Sequence, residues 1–311
     1  MRLIYLGTPP FAVPTLEALL RAGHEVIEVI TQPDRPKGRG NKLAMSAVKV
    51  GALAHNLPVF QPERVRRPEV LEHLHALAPE IMVIVGYGQI VPQAVIDVAP
   101  RGIINVHGSL LPRLRGAAPV QWAIARGDRE TGVTTMQIDA GLDTGDMLLS
   151  SATDIGENED AIALGERLSH MGAGLLVETL SGLEAGSIQP RKQDSALATY
   201  APILKKQDGR IDWTQPARSI HNLIRGMQPW PGAHSSFRGQ LFQIWLSHLT
   251  LESRTSAPAG QLLLNRDGVF VACGDGGLLK LIEVQLEGRK RMSADEFARG
   301  HRVNENEALG N

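Results

Sequence analysis

The chain has one cysteine, Cys273, among 311 residues. A single thiol excludes an intrachain disulfide and a cysteine-based metal cluster, and it fits a reducing compartment. No apolar run approaches the ~20 residues of a membrane span. Residues 1–7 pass straight into an apolar strand, without the basic leader, long apolar stretch and small-residue cleavage site of a secretory signal. The expectation is a cytoplasmic protein that works away from membranes. Also missing is the G-x-G-x-x-G of dinucleotide folds: only Gly7 follows the first strand, which disfavours a nicotinamide-dependent dehydrogenase. Charge of one sign is absent overall, with 32 Lys and Arg against 33 Asp and Glu. The distribution is uneven, however. Residues 190–311 carry 16 basic against 12 acidic side chains, and residues 1–189 carry 16 against 21. Such a mild basic excess suits a polyanionic partner, and an ordinary solvated surface produces it too.

With 43% hydrophobic and 21% charged residues, the composition suits a globular chain long enough for two cored domains. Strands are expected at 2–8, 24–30, 57–60, 80–88, 102–107 and 133–138, alternating with amphipathic helices at 11–22, 46–55, 68–78 and 159–183. Buried strands joined by helical crossovers imply a doubly wound, Rossmann-like α/β domain with a mostly parallel sheet over residues 1–189. Residues 190–206 are polar, contain Pro190 and Pro202, and read as a semi-extended linker. Beyond it, a helix at 217–227 precedes five short strands at 233–237, 241–246, 260–264, 269–272 and 278–284. This pattern predicts a small OB-like β-barrel over residues 207–311. Barrels of that type often meet oligonucleotides, although a structural or dimerising barrel would look the same. The expectation is a monomer.

Residues 102–119 hold the densest chemistry. Asn105 and His107 lie two apart on the strand, so they share a face opposite Ile104 and Val106. In an open α/β sheet, ligands collect at the carboxyl ends of strands, where this pair sits. An amide N–H stabilises a developing oxyanion and a histidine moves protons near neutrality, a combination suited to acyl-type transfer. Taken alone, the pair is equally readable as polar side chains capping a strand end.

Three further stretches stand out. Residues 31–43 hold Arg35, Lys37, Arg39 and Lys42 among two prolines and two glycines, which excludes helix and strand and predicts an exposed loop. It is either a solvated surface loop or a phosphate-contacting one. The strongest strand ends in Gly86-Tyr87-Gly88, where missing side chains admit a ligand or merely make a tight turn. The loop at 139–146 contains three aspartates among glycines but lacks the register of a calcium loop. One of these carboxylates is expected to face His107 and support its charged form.

The run from Asn105 through residue 123 resembles the signature of the 10-formyltetrahydrofolate-dependent formyltransferases. The resemblance extends to Gly-Leu-Asp-Thr-Gly-Asp-Met at 141–147 and to Thr-Gln-Pro-Asp-Arg-Pro-Lys-Gly-Arg-Gly at 31–40. It covers most of the first 190 residues and thins out beyond them. It points to the branch acting on methionine carried by initiator tRNA. The resemblance implies 10-formyltetrahydrofolate as donor, initiator methionyl-tRNA as partner, and Asn105, His107 and Asp143 as the catalytic set, picking Asp143 from the three aspartates. It also implies a pterin near Gly86, Tyr87, Gly88, Gln89 and Ile90, beside a folate-binding loop of Ser109, Leu110, Leu111 and Pro112. The family commonly has alanine where this chain has Gly86. The 31–43 loop would engage the acceptor end of the tRNA, with Arg39 at the position of the key arginine. Lys205, Lys206 and Arg210, near the domain junction, are further candidates for phosphate contact. A positioned amide and imidazolium supply the electrostatics, so no metal is expected.

Two rival acceptors share the Asn-x-His and the distal aspartate, namely a sugar-nucleotide amine and glycinamide ribonucleotide. Enzymes of the second kind typically lack a C-terminal barrel, and those of the first lack the Thr-Gln-Pro-Asp-Arg loop. A non-catalytic RNA-binding protein on the same scaffold is a third reading, opposed by the intact Asn105, His107 and Asp143.

Overall fold

The structure is a computed structural model that describes residues 1–37, 42–304 and 307–310. Its elements begin with β1 (Arg2–Gly7), α1 (Val13–Arg21), β2 (Glu25–Ile30), β3 (Arg35–Lys37), β4 (Lys42–Ala44), α2 (Ala47–Ala54) and β5 (Val59–Phe60). There follow α3 (Pro68–Leu77), β6 (Ile81–Val85), α4 (Gln93–Ile96), β7 (Ile103–His107), α5 (Pro119–Arg126), β8 (Glu130–Gln137), β9 (Met147–Asp154) and α6 (Ala161–Ala185). The remainder comprises α7 (Ala217–Gly226), β10 (Ala233–Phe237), β11 (Gln240–Arg254), β12 (Leu262–Asn265), β13 (Gly268–Ala272), β14 (Gly277–Leu286), β15 (Met292–Ser293) and α8 (Ala294–His301).

Two compact units emerge. The first takes Met1–Pro119, Thr131–Thr153 and Gly165–Pro202, and the second takes Val120–Glu130, Asp154–Leu164 and the chain from Ile203 onward. Residues 190–202, read above as linker, thus belong to the first unit. Arg191 pairs its backbone with Met147, and Ala201 pairs with Arg115.

The first unit is built on a seven-stranded sheet of order β5-β2-β1-β6-β7-β8-β9. The pairs from β5 to β7 are parallel and β8 runs antiparallel to β7. Alternation along each strand feeds two cores. Leu3 and Tyr5 of β1 pack with Leu16 and Leu19 of α1 and with Leu176 and Leu180 of α6. Ile4 and Leu6 pack on the opposite face with Val70 and Leu74 of α3. Both faces are covered, as continuous apolar parallel strands require. Helix starts follow local chemistry: Ser46 caps α2 by accepting the Lys49 N–H at 3.0 Å, and Pro68 opens α3. Strand order reverses between β1 and β6, which puts a switch-point crevice outside their carboxyl ends.

The second unit carries the OB-like antiparallel sheet of order β10-β11-β14-β13-β12, with β15 on β14. Its core includes Phe237, Phe242, Ile244, Val271, Leu279 and Phe297, with Ile220 and Ile224 of α7 laid onto it.

Some expectations need correction. The 31–43 stretch is not wholly loop, because β3 and β4 pair antiparallel, Arg35 opposite Ala44 and Lys37 opposite Lys42. A two-stranded ribbon leaves one edge of each strand without ladder partners, so Pro36 is tolerated there. β9 had no sequence signal, since it is the last strand of the sheet and buries only Leu148. β11 runs well past 246. Register shifts near Leu246 and beyond Thr250 bend it and break the apolar alternation.

Candidate active site

β7 ends in the polar pair because its own strand register buries both side chains: Asn105 and His107 are 7% and 6% exposed. The imidazole is held from two sides. Its Nε2–H donates to the Leu114 carbonyl at 3.0 Å, which leaves Nδ1 as the ring nitrogen free to gain or lose a proton. Nδ1 lies 3.8 Å from Asp143 Oδ2, within ion-pair range but too long for a direct hydrogen bond. The same Oδ2 accepts the Gly116 N–H at 2.7 Å. Leu114 and Asp143, which supply the two oxygens flanking the ring, both adopt left-handed backbone, with φ of 58° and 51°. Non-glycine residues rarely do so, and such strain concentrates where geometry serves chemistry. Asn105 differs from its neighbour. Among the described residues none holds its side-chain amide by a hydrogen bond.

The loop between β8 and β9 aims Asp143 inward by bracing itself. Asp139 accepts the Gly141 N–H at 3.0 Å and the Thr144 hydroxyl at 2.7 Å, and Gln137 N–H donates to the Asp146 carbonyl. Of the three aspartates in the loop, Asp143 is the one that comes within ion-pair range of His107. Gly145 passes so close to the Gln137 carbonyl that a Cβ would collide with it. Gly116, at φ 119°, would place a Cβ 2.5 Å from the Ala201 oxygen. Residues 114–116 therefore lie tightly against the stretch around Ala201.

The stretches assigned to the folate divide by exposure. Gly86 and Gly88 are exposed with left-handed φ, and Ile90 is 91% exposed. Leu110 and Pro112 are half-buried. Tyr87 does not present its ring, because the side chain is buried in the core with Leu74 and burial pushes its phenol up to about 12. Its carbonyl is also occupied, by the Thr8 hydroxyl and the Gln32 amide. Gln89 accepts the Val65 N–H at 2.8 Å. Ser109 is fully buried and donates to the Arg113 carbonyl, while its own carbonyl accepts from Thr134. Leu111 is buried, its N–H on the Thr134 hydroxyl. These residues brace the walls rather than offer groups to a ligand. Unpartnered polarity beside the glycine turn, at Asn105, suits the carbonyl of a formyl donor. Among the described residues, no group of three or more His, Cys, Asp or Glu could hold a metal ion.

The candidate phosphate contacts are scattered. Arg35 is exposed and pairs with Glu63 at 3.4 Å. Lys205, Lys206 and Arg210 are exposed around a short 3-10 turn. Lys37 and Lys42 face each other across the β3–β4 ribbon, and Arg39 lies outside the described residues. Sequence reasoning missed the backbone groups of Leu114 and Gly116, and it missed Gln193 and Thr199. Gly116 alone left a trace in the sequence, as a glycine that permits a close pass.

A formyl transferase family model matches residues 1–180, and the formyl transferase C-terminal domain model matches residues 203–302. A methionyl-tRNA formyltransferase of Solibacter usitatus is 62% identical over 310 residues, covering 100% of this chain and 99% of that protein. One from Koribacter versatilis is 52% identical over 311 residues, covering 100% and 99%. Among solved structures, an N-formyltransferase from Helicobacter canadensis in complex with folinic acid and dTDP-3-aminofucose superposes with a TM-score of 0.69 at 20% identity, over 90% of this chain and 98% of that one. HypX from Aquifex aeolicus in complex with tetrahydrofolic acid gives 0.64 at 17% identity, over 96% of this chain and 48% of that one. At such identities these two speak to the fold.

Proposed function

The chain belongs to the formyl transferase family in its N-terminal and C-terminal parts alike, and from that premise we propose that Asn105, His107 and Asp143 catalyse formyl transfer onto methionine carried by initiator tRNA. The donor is 10-formyltetrahydrofolate, and the product is N-formylmethionyl-tRNA. The observation that carries the chemistry is an amide at Asn105, held by no hydrogen bond among the described residues, two residues from a histidine flanked by a carboxylate.

The donor supplies an electrophilic carbonyl carbon. The free amine of the methionyl ester bonds to that carbon, and the bond from the carbon to the folate N10 breaks. Negative charge building on the formyl oxygen is met by the Asn105 amide N–H and by protonated His107, each such donor being worth about 10²–10³ in rate. Asp143, fixed by the Gly116 N–H, offsets the positive charge on the imidazole. Through one water it also takes the proton released by the amine, and that proton passes to N10 as the carbon–nitrogen bond breaks. Leu114 keeps Nε2 protonated and Nδ1 turned toward Asp143. Gly86, Gly88, Ile90, Leu110 and Pro112 form the accessible rim for the pterin. Arg35, Lys37, Arg39, Lys42, Lys205, Lys206 and Arg210 meet tRNA phosphates, as basic side chains can. All three catalytic groups come from one chain, so a cytoplasmic monomer suffices.

The test is formyl transfer from 10-formyltetrahydrofolate offered three acceptors: charged initiator tRNA, charged elongator methionine tRNA and a nucleoside-diphosphate amino sugar. Initiator tRNA is expected to be turned over with the highest kcat/KM. Turnover of the amino sugar alone would overturn the acceptor, and transfer to none of the three would overturn the activity.

A further inference from the structure

Among the described residues no backbone hydrogen bond ties Asp143 to the parallel strands, yet its carboxylate must hold station beside Nδ1. The side chain that spans this gap comes from fifty residues further along. Gln193 Nε2 donates to the Asp143 carbonyl and to the Gly145 carbonyl, both at 2.8 Å. Its Oε1 accepts from Arg115 Nε and Nη2, at 3.0 and 2.8 Å. One amide thus ties the loop bearing Asp143 to the segment bearing Leu114, the two residues whose oxygens flank His107. All its hydrogen-bonding capacity is used in the tie, two donors on one side and an acceptor on the other.

The stretch around Gln193 repeats the pattern. The Thr199 hydroxyl accepts the Leu114 N–H at 2.9 Å, the Thr199 carbonyl accepts the Arg115 N–H at 2.8 Å, and the Ala201 N–H donates to the Arg115 carbonyl at 2.7 Å. Arg115 is 3% exposed and Gly116 admits no Cβ against Ala201. Residues 191–201 therefore behave as a strap drawn across the two backbone segments that strain supplies to the site.

We infer that Gln193 is a positioning residue for the Asp143 carboxylate, and that the 191–201 strap sets the carboxylate-to-imidazole distance. This rests on the catalytic roles given above to His107 and Asp143. Gln193 itself has no role in binding: its nitrogen and oxygen are both turned to the protein. Its loss is therefore felt in the chemical step and not in substrate affinity.

Two variants separate the tie to the loop from the tie to Arg115. Gln193→Glu keeps the shape and still accepts from Arg115, but it loses the donors to Asp143 and Gly145. Gln193→Ala loses both ties. With 10-formyltetrahydrofolate and charged initiator tRNA, both variants are expected to show kcat lowered about 10- to 100-fold, as an ångström-scale misplacement of a catalytic group costs. KM for each substrate should stay within about threefold. Thermal unfolding of each variant checks that the fold survives, and if one fails to fold the other is read. A wild-type kcat in Gln193→Glu, or a change in KM with kcat untouched, would overturn the inference. Asp143→Asn is measured alongside. An inactive Asp143→Asn with an active Gln193→Glu sinks only the strap, whereas an active Asp143→Asn removes Asp143 from the mechanism and the strap's purpose with it.

Discussion

The polar cluster at the end of β7 in the first unit and the one on α7 in the second unit are built from similar residues and lead to opposite conclusions. Each has a buried histidine and a buried asparagine, and each has an arginine close by. On α7 the arginine and histidine valences are closed. Arg225 gives Nη1 to the Gly156 and Glu159 carbonyls and Nε and Nη2 to Asn222 Oδ1, while His221 bonds Ser247 at 3.0 Å. A cavity of about 360 Å³ opens beside these side chains, but each nitrogen of the Arg225 guanidinium lining it already has a partner. At the end of β7 no described residue holds the asparagine amide, and the histidine keeps one nitrogen 3.8 Å from a carboxylate. A buried polar network with every member satisfied fixes a fold, and one with valence to spare is arranged for a ligand. The cavity beside α7 is therefore a poor guide to the chemistry.

The sharpest way to break this contrast is to delete the open cluster. His107→Ala, Asn105→Ala and Asp143→Ala should each lower kcat by at least about 10²–10³-fold. Asn105→Ala should leave the thermal midpoint close to that of wild type, since among the described residues no hydrogen bond to the amide is lost. An Asn105→Ala enzyme that kept its kcat and lost stability would reverse the assignment of the two clusters. The next largest effect lies on α7. Arg225→Ala strands two carbonyls and the Asn222 oxygen, which should cost about 2–4 kcal/mol in denaturant unfolding. Its kcat, per folded molecule, should stay within about threefold of wild type. A thousandfold loss of kcat there would make the closed cluster part of the reaction.

The two clusters also differ in how far they could be read from sequence. Continuous apolar strands and glycine-bounded helices gave away the doubly wound sheet, because the parallel strands are buried on both faces and the signal is dense. Asn105 and His107 were legible because strand register alone puts them on one side. Asp143 needed family resemblance to be chosen over Asp139 and Asp146, since the self-bracing of the loop is a matter of hydrogen bonds that no spacing reveals. Gln193 and Thr199 were illegible for a deeper reason. Their partners are backbone groups of Leu114, Asp143 and Gly145, and any residue type supplies those. A polar stretch that docks through such bonds looks like a linker. β9 escaped because it buries one side chain, and α8 because its capping box of Ser293 and Glu296 sits on only eight residues.

The smallest effect separates the clusters by proton uptake. Burial, more than anything else, pushes the His221 imidazole down from 6.5 to about 4; the Glu157 carbonyl opposes this and the nearby Arg225, His248 and Arg218 add to it. A histidine that stays neutral when folded and protonates when unfolded contributes stability that is complete above about 6.5 and is lost as pH falls toward about 4. Between those limits the unfolded chain binds the extra proton, so stability must rise with pH. Allowing for solvent near the ring, the contribution is roughly 1–3 kcal/mol, equivalent to a few degrees in thermal midpoint. Scanning wild type and His221→Gln from pH 7 to 4 checks it: the variant should lose part of the wild-type slope and retain wild-type kcat at pH 7. Identical slopes would mean that His221 is protonated in the folded state, and the closed cluster would then hold a charge that its hydrogen bonds do not explain.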